Sequence, residues 1–342
     1  MTGLLITIVL GAFNADATTR ALGHSDGRSG ALEQFFKLPR ADLMQARKSS
    51  IGPAITRVAL DPKTSYLDRI LALRVIALLN LESQSANLVQ LLRHTPSPEG
   101  IAVARETAKT LFKLGAGPFL TAALGHGDPE VRKYAARAGA GGAALCPVLL
   151  SDPWPMVRAA AAEGLAIHEK QAPCLRRGFK DRSESVLRAV IDSTTQLGMS
   201  QVGPELRTIV RNPSNSISLR ADALYGLGRL GLVGLAKKVL KNHMAHGGMT
   251  ELAAASIRGL SAAASPSKAY LAAMKSPSTR VLLALARALA SRPDSATSKR
   301  LRHIRKRLKP RYQETIDRLL KPLSPPPRLG EVIQRDAPED VE

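Results

Sequence analysis

The chain has 342 residues, 44% apolar and only 4% aromatic, with a formal net charge of +21. That apolar share excludes a disordered chain, and the length exceeds what one compact core usually organises. The charge points to a polyanionic partner (nucleic acid, anionic lipid or an acidic protein face), or simply to a solvated basic surface. Alanine and leucine dominate, which favours helices. No sustained alternation of Val, Ile, Thr and aromatic residues reads as a sheet.

The N-terminus opens with an apolar run, Leu4 to Phe13, too short to span a bilayer. Ala15-Asp16-Ala17 follows, an A-x-A pattern. Residues 1–17 are therefore expected to be a secretory signal peptide cut before Thr18, although Met1-Thr2-Gly3 carries no basic residue. The mature chain would then be periplasmic or secreted, with no transmembrane anchor; cytoplasmic retention is the alternative. Residues 18–44 read as a polar linker leading into the first repeat.

From residue 45 to 290 the chain repeats itself. "GDPEVRKYAARAGA" from Gly127, "SDPWPMVRAAAAEGLA" from Ser151, "DRSESVLRAVIDSTTQLG" from Asp181 and "NPSNSISLRADALYGLG" from Asn212 align on Arg132, Arg158, Arg188 and Arg220. These arginines are 26, 30 and 32 residues apart, so each unit is a helix pair of about thirty residues. Earlier copies carry Arg69 and Arg105. Asp61-Pro62, Asp128-Pro129, Asp152-Pro153, Asn212-Pro213 and Ser276-Pro277 are each expected to pair an N-cap side chain with proline at the first helical position. Small residues six positions after the arginine position, Ala138, Gly164, Gly226 and (after Ala253, a copy that has lost the arginine) Gly259, would let neighbouring helices approach closely.

The D-P-x-V-R-x-x-A-A-x-A core at Asp128–Ala138, with its variant at Asp152–Gly164, resembles the HEAT-repeat family, in the short form also found in phycobilisome lyase subunits. The resemblance implies an all-α solenoid of about eight stacked helix pairs with a concave inner face. It also implies that the repeated arginines bond to neighbouring units and are structural. It leaves function open, because the family includes scaffolds, adaptors, lyase subunits and DNA-repair enzymes.

Few motifs point to chemistry. "GHSDG" at Gly23–Gly27 matches a nucleophile elbow but sits in a Gly/Ser/Asp stretch with no strand before it. "GLGRLG" at Gly226–Gly231 matches a dinucleotide fingerprint but closes a helix instead of opening one. His243 and His246, with Met244 and Met249 nearby, lack a third strong ligand at fixed spacing and read as polar loop residues. No residue is assigned a catalytic, cofactor-binding or metal-binding role. Cys146 and Cys174 are a candidate disulfide if the chain is exported, and two small core residues if it is not.

Residues 291–321 form a basic helical cap. "KRLRHIRKRLKPR" holds Lys299, Arg300, Arg302, Arg305, Lys306, Arg307, Lys309 and Arg311, and no acid. Leu301, Ile304 and Leu308 recur at helical spacing beneath them. Residues 322–342 are proline-rich, then acidic, and read as a disordered tail. The basic residues and the lone tryptophan, Trp154, are the candidate partner contacts. The reading is a non-enzymatic protein-binding scaffold without cofactors, with an anionic lipid or other surface as a further partner. The alternatives are a cytoplasmic nucleic-acid protein resembling the HEAT-built DNA glycosylases, and a lyase-like or chaperone subunit.

Overall fold

The computed structural model describes residues 13–93, 97–168, 172–248, 250–262, 271–291 and 293–323. The fold is all-α, built of helices packed in neighbouring pairs, and no strand occurs among the described residues. The chain divides into two compact units, Met1–Leu197 and Gly198–Glu342.

In the first unit, α1 (Ala15–Gly23), α2 (Ser25–Phe35) and α3 (Arg40–Lys48) precede α4 (Ile51–Leu60) and α5 (Tyr66–Leu78). Then come α6 (Ser85–Leu88, flanked by 3₁₀ turns), α7 (Pro98–Lys113), a 3₁₀ segment (Gly117–Gly125) and α8 (Pro129–Arg137). The last two pairs are α9 (Leu145–Ser151) with α10 (Pro155–Leu165) and α11 (Ala172–Gly178) with α12 (Glu184–Gln196). One layer stacks α5, α7, α8, α10 and α12 in order; α5, α10 and α12 each pack on a shorter helix behind, and α8 on the 3₁₀ segment. A helix so enclosed has little solvent face. In α10, Val157, Ala160, Ala161, Ala162 and Leu165 are all buried, hence the alanine-rich composition.

The second unit pairs α13 (Gly203–Arg211) with α14 (Ile217–Arg229) and α15 (Gly234–His246) with α16 (Thr250–Ala262). It continues with α17 (Thr279–Ser291), α18 (Thr297–Arg307) and α19 (Pro310–Leu320). The helices α14, α16 and α17 stack as one layer. No described helix is long and apolar enough to cross a membrane.

The repeated arginines bind successive repeats of the first unit together. Arg132 gives two bonds to Asp152 (Nε to Oδ2, 2.8 Å; Nη2 to Oδ1, 3.2 Å). Its Nη1 donates to the carbonyls of His126 and Gly127, 2.8 and 3.0 Å away, in its own turn. Arg158 reaches Asp181 the same way at 2.7 and 3.0 Å, and Arg105 reaches Asp128 at 3.0 and 2.6 Å. Each aspartate thus holds the turn before its own helix and accepts the preceding repeat's guanidinium. Burial pushes the carboxyl of Asp128 up. Arg105 and the N–H groups of Val131 and Glu130 pull it down by more, so its pKa lies below the ordinary value. Asp181 is lowered likewise, burial being outweighed by Arg158 and the Ser183 and Arg182 backbone. Arg220 differs: its Nε donates to the Val210 carbonyl inside its own repeat, 2.8 Å away. Arg188 pairs with Glu184, one turn back on its own helix.

The capping pattern also departs from expectation. Only Asp128 caps directly, its Oδ1 accepting from Glu130 and Val131 ahead of Pro129. Asp61, Asp152, Asn212 and Ser276 accept from the N–H two residues on, making a turn before the helix begins. Ser65 and Ser216 take the N-cap places ahead of α5 and α14. The reason is local. Asp and Asn close such turns readily, and the chain leaves the proline before entering the helix.

Close approach occurs at Gly164, where a Cβ would stand 2.0 Å from the Ala136 carbonyl oxygen. In the second unit it is Gly228, rather than Gly226, that meets Gly259: a Cβ on Gly228 would lie 2.2 Å from the Gly259 Cα. Residues 18–44 hold α1 to α3, not a linker: α1 packs on α4 and α2 on α5, and Phe13 lies 5.8 Å from Phe35, ring to ring. The bond after Ala17 therefore falls inside α1. The expected apolar run lies outside the described residues except for Phe13, and so does the expected tail from residue 324 on.

Candidate functional site

Ser25 begins α2 and donates its hydroxyl to Asp26 at 2.9 Å, with helix α1 before it instead of a strand. Gly226 and Gly228 lie inside α14, and Gly231, at φ 76°, turns the chain after it. His243 is buried, with Nδ1 bonded to the Gly248 carbonyl and Nε2 3.2 Å from Ser276 Oγ; His246 is exposed on the same helix. Met249 lies outside the described residues. Among the described residues no cluster of His, Cys, Asp and Glu could hold a metal ion. A disulfide joins Cys146 in α9 to Cys174 in α11, Cα atoms 5.7 Å apart.

The basic run splits into two groups. Leu301, Ile304 and Leu308 are buried, which fixes the orientation of α18. Arg300 pairs with Asp294 at 2.6 Å, and Arg305 holds Asp317 of α19 with bonds of 2.6 and 3.1 Å. Thr297 and Arg300 hold Asp294 below the usual carboxylate range, and Arg305 does the same for Asp317. Arg307 donates to the carbonyls of Met274, Lys275 and Ser276, which end a 3₁₀ turn. Arg311 lies 4.7 Å over the Tyr312 ring. These side chains fasten the end of the unit. Lys299, Arg302, Lys306 and Lys309 are exposed.

Trp154, in the first unit, is the N-cap residue of α10 and is 51% exposed. Its backbone N–H donates to Asp152 at 2.9 Å and its carbonyl accepts from the N–H groups of Val157 and Arg158 at 3.0 and 3.1 Å. It is thus an apolar surface residue that folding does not bury.

Sequence reasoning missed one wide concavity. In the second unit a groove of about 1050 Å³ runs over α14, α16 and α17 to α19. Gly228 and Gly259 bring α14 and α16 together beneath it. Its floor is small: Ala254, Ala262, Ala284 and Ala288. Arg258, Arg280 and Arg287 rise along it, with Tyr225 and Tyr312 among the lining rings. Arg280 shares Glu251 at 3.4 Å, and Arg258 stands 5.9 Å over Tyr225. For Arg258 and Arg287 no carboxylate lies within salt-bridge distance among the described residues. The groove therefore carries more positive charge than its one acid balances. In the first unit's corresponding layer Lys133 pairs with Glu130 and Arg137 with Glu163, while Arg74 and Lys109 share Glu106. The usable signal was Arg280 and Arg287, seven apart on an otherwise apolar helix, "TRVLLALARALAS". Exposed guanidinium groups beside aromatic faces suit carboxylates and planar groups, the chemistry of a recognition surface.

Comparison with known proteins agrees with the repeat pattern. Residues 142–231 match the family model described as HEAT repeats. No curated protein sequence matches the chain. One solved structure is the complex of CpcE and CpcF of phycocyanin lyase from Nostoc sp. PCC7120. It is 16% identical, covers 75% of this chain and 94% of its own, and has a TM-score of 0.37. A likeness that distant carries no argument about activity.

Proposed function

This chain carries HEAT repeats, and on that premise we propose that it is a non-enzymatic scaffold that holds a protein partner in the arginine-lined groove of its second unit. The carrying observation is that Arg258, Arg280 and Arg287 line a wide groove whose one acid, Glu251, pairs with Arg280, so that among the described residues Arg258 and Arg287 have no carboxylate partner. Leaving cations exposed beside a flat alanine floor costs folding little and offers a partner both charge and contact area. The partner face is acidic.

The proposal extends to an oxidising compartment, the periplasm or the exterior. A disulfide between consecutive repeats suits such a place. So do the apolar run Leu4–Phe13 and the Ala15-Asp16-Ala17 pattern. The intact mass of the native protein tests this part: a chain beginning at Met1 with both thiols free would overturn it.

The partner reading is tested by affinity capture with the tagged full chain. Capture of a specific protein must be lost in Arg258→Ala/Arg287→Ala and kept in Lys299→Ala/Arg302→Ala. Equal capture by all three forms refutes the groove as the interface.

A further inference from the structure

We propose that the groove of the second unit has an occupant of its own: the acidic segment Asp336–Glu342 of the same chain, which a partner must displace. This rests on the groove being the partner surface just proposed, and it adds what competes there.

The argument begins with spacing. Arg280 and Arg287 are seven residues apart on α17, about two turns, so they leave the same face about 10 Å apart. An extended polyproline-type chain returns to the same face every three residues, about 9 Å. Carboxylates three residues apart on such a chain therefore meet arginines seven apart on a helix. Asp336, Glu339 and Glu342 have that spacing, and Pro338 lies between the first two, where its fixed φ favours the extended form. Residues 331–342 hold five acids and one base, Arg335.

The groove supplies the complement. Arg287 and Arg258 lack a carboxylate among the described residues, and Arg280 shares one with Glu251. Bidentate guanidinium–carboxylate pairs would satisfy each. Tyr225 and Tyr312 also line the groove, Tyr225 under Arg258 and Tyr312 under Arg311, and aromatic-lined grooves receive proline-containing extended segments.

Connectivity makes the encounter local. Tyr312, on the groove wall, sits in α19, and the chain runs from it about 16 Å to Leu323. The thirteen residues from Leu323 to Asp336 span up to about 45 Å when extended. The segment can thus turn back to the groove, at an effective concentration on the order of millimolar. An acidic partner then meets a groove already screened by a weak, tethered competitor. That raises selectivity for partners with several contacts and keeps single acidic peptides out.

The test uses the full-length chain and a fluorescein-labelled peptide with the sequence of residues 331–342, followed by anisotropy at low salt. Neutralising the tethered copy with Asp336→Asn, Glu339→Gln and Glu342→Gln should tighten probe binding about tenfold. That is the ratio of a millimolar tether to an affinity of about 0.1 mM. Adding Arg258→Ala and Arg287→Ala should abolish the gain. Both arginines are exposed, so an unchanged melting curve should accompany that loss. Equal binding by the unaltered and neutralised chains, both sensitive to the arginines, would overturn the tethered occupant while leaving the groove a partner surface. Binding indifferent to the arginines would likewise overturn the occupant. Absence of probe binding to every form would overturn the occupant alone, since the capture experiment judges the partner independently.

Discussion

Removal of Arg132 is the sharpest probe of how the repeats are joined. Its side chain is 11% exposed and that of Asp152 7%, so the pair is shielded from water and salt. Arg132→Met keeps the aliphatic stem and removes the guanidinium with its four bonds. The Asp152 carboxylate then stays buried with the Trp154 N–H as its remaining hydrogen-bond partner among the described residues. Breaking one half of a buried pair costs about 3–5 kcal/mol, mostly the uncompensated charge. In a unit of this size each kcal/mol lowers the midpoint by about 2–4 °C, so a fall of about 6–12 °C is expected at the lower figure. The assay is urea denaturation and thermal melting by circular dichroism on Arg132→Met, Asp152→Asn and the double variant. The double should lose much less than the sum, leaving about 2 kcal/mol of coupling. Single variants costing under about 1 kcal/mol, or losses that add within about 0.5 kcal/mol, would refute the ladder as the joint between repeats.

Four further outcomes follow from the same structure. Cys146→Ser/Cys174→Ser should lose about 3–4 kcal/mol by the chain-entropy account of a loop closed across 28 residues, and reductant should destabilise the unaltered protein alike; equal urea midpoints with and without reductant would contradict it. Gly164→Ala gains about 1 kcal/mol of helix propensity, yet its Cβ meets a backbone oxygen that cannot swing aside. A net loss of about 1–3 kcal/mol is expected, and a stabilised variant would show that α8 and α10 are not in close approach. Asp128 and Asp181 have depressed folded-state values, so their contribution is complete above the unfolded carboxylate range, about pH 4, and is lost as pH falls through the folded values. Urea midpoints should hold steady from about pH 7 to 5 and drop below 4, and Asp128→Asn should flatten the drop. Trp154→Ala should change stability by less than about 0.5 kcal/mol, because the indole is half exposed and the backbone bond to Asp152 survives. A large loss would mean the ring is packed in solution.

Much of the fold was legible in the residues. The arginine spacing and the alanine-rich helices each reflect a local demand that recurs with the repeat, and local demands are written in neighbouring residues, whereas of the five residues expected to cap ahead of a proline only Asp128 does so. Helical periodicity likewise placed Leu301, Ile304 and Leu308 beneath the basic run. What the sequence could not assign were the partners. Whether Arg132 meets Asp152, and Arg220 only the Val210 carbonyl, depends on where the next repeat puts its turn. Arg305 looked as free as Lys306 until α19 brought Asp317 alongside it. The groove was illegible for the same reason. Arg258, Arg280, Arg287, Tyr225 and Tyr312 come from four helices, and only their stacking gathers them. A one-dimensional pattern states which residues each helix turns outward, whereas the distance between guanidinium and carboxylate is set by how the helices pack. That packing engaged Arg300, Arg305 and Arg307 in holding the end of the unit and left Arg258 and Arg287 exposed.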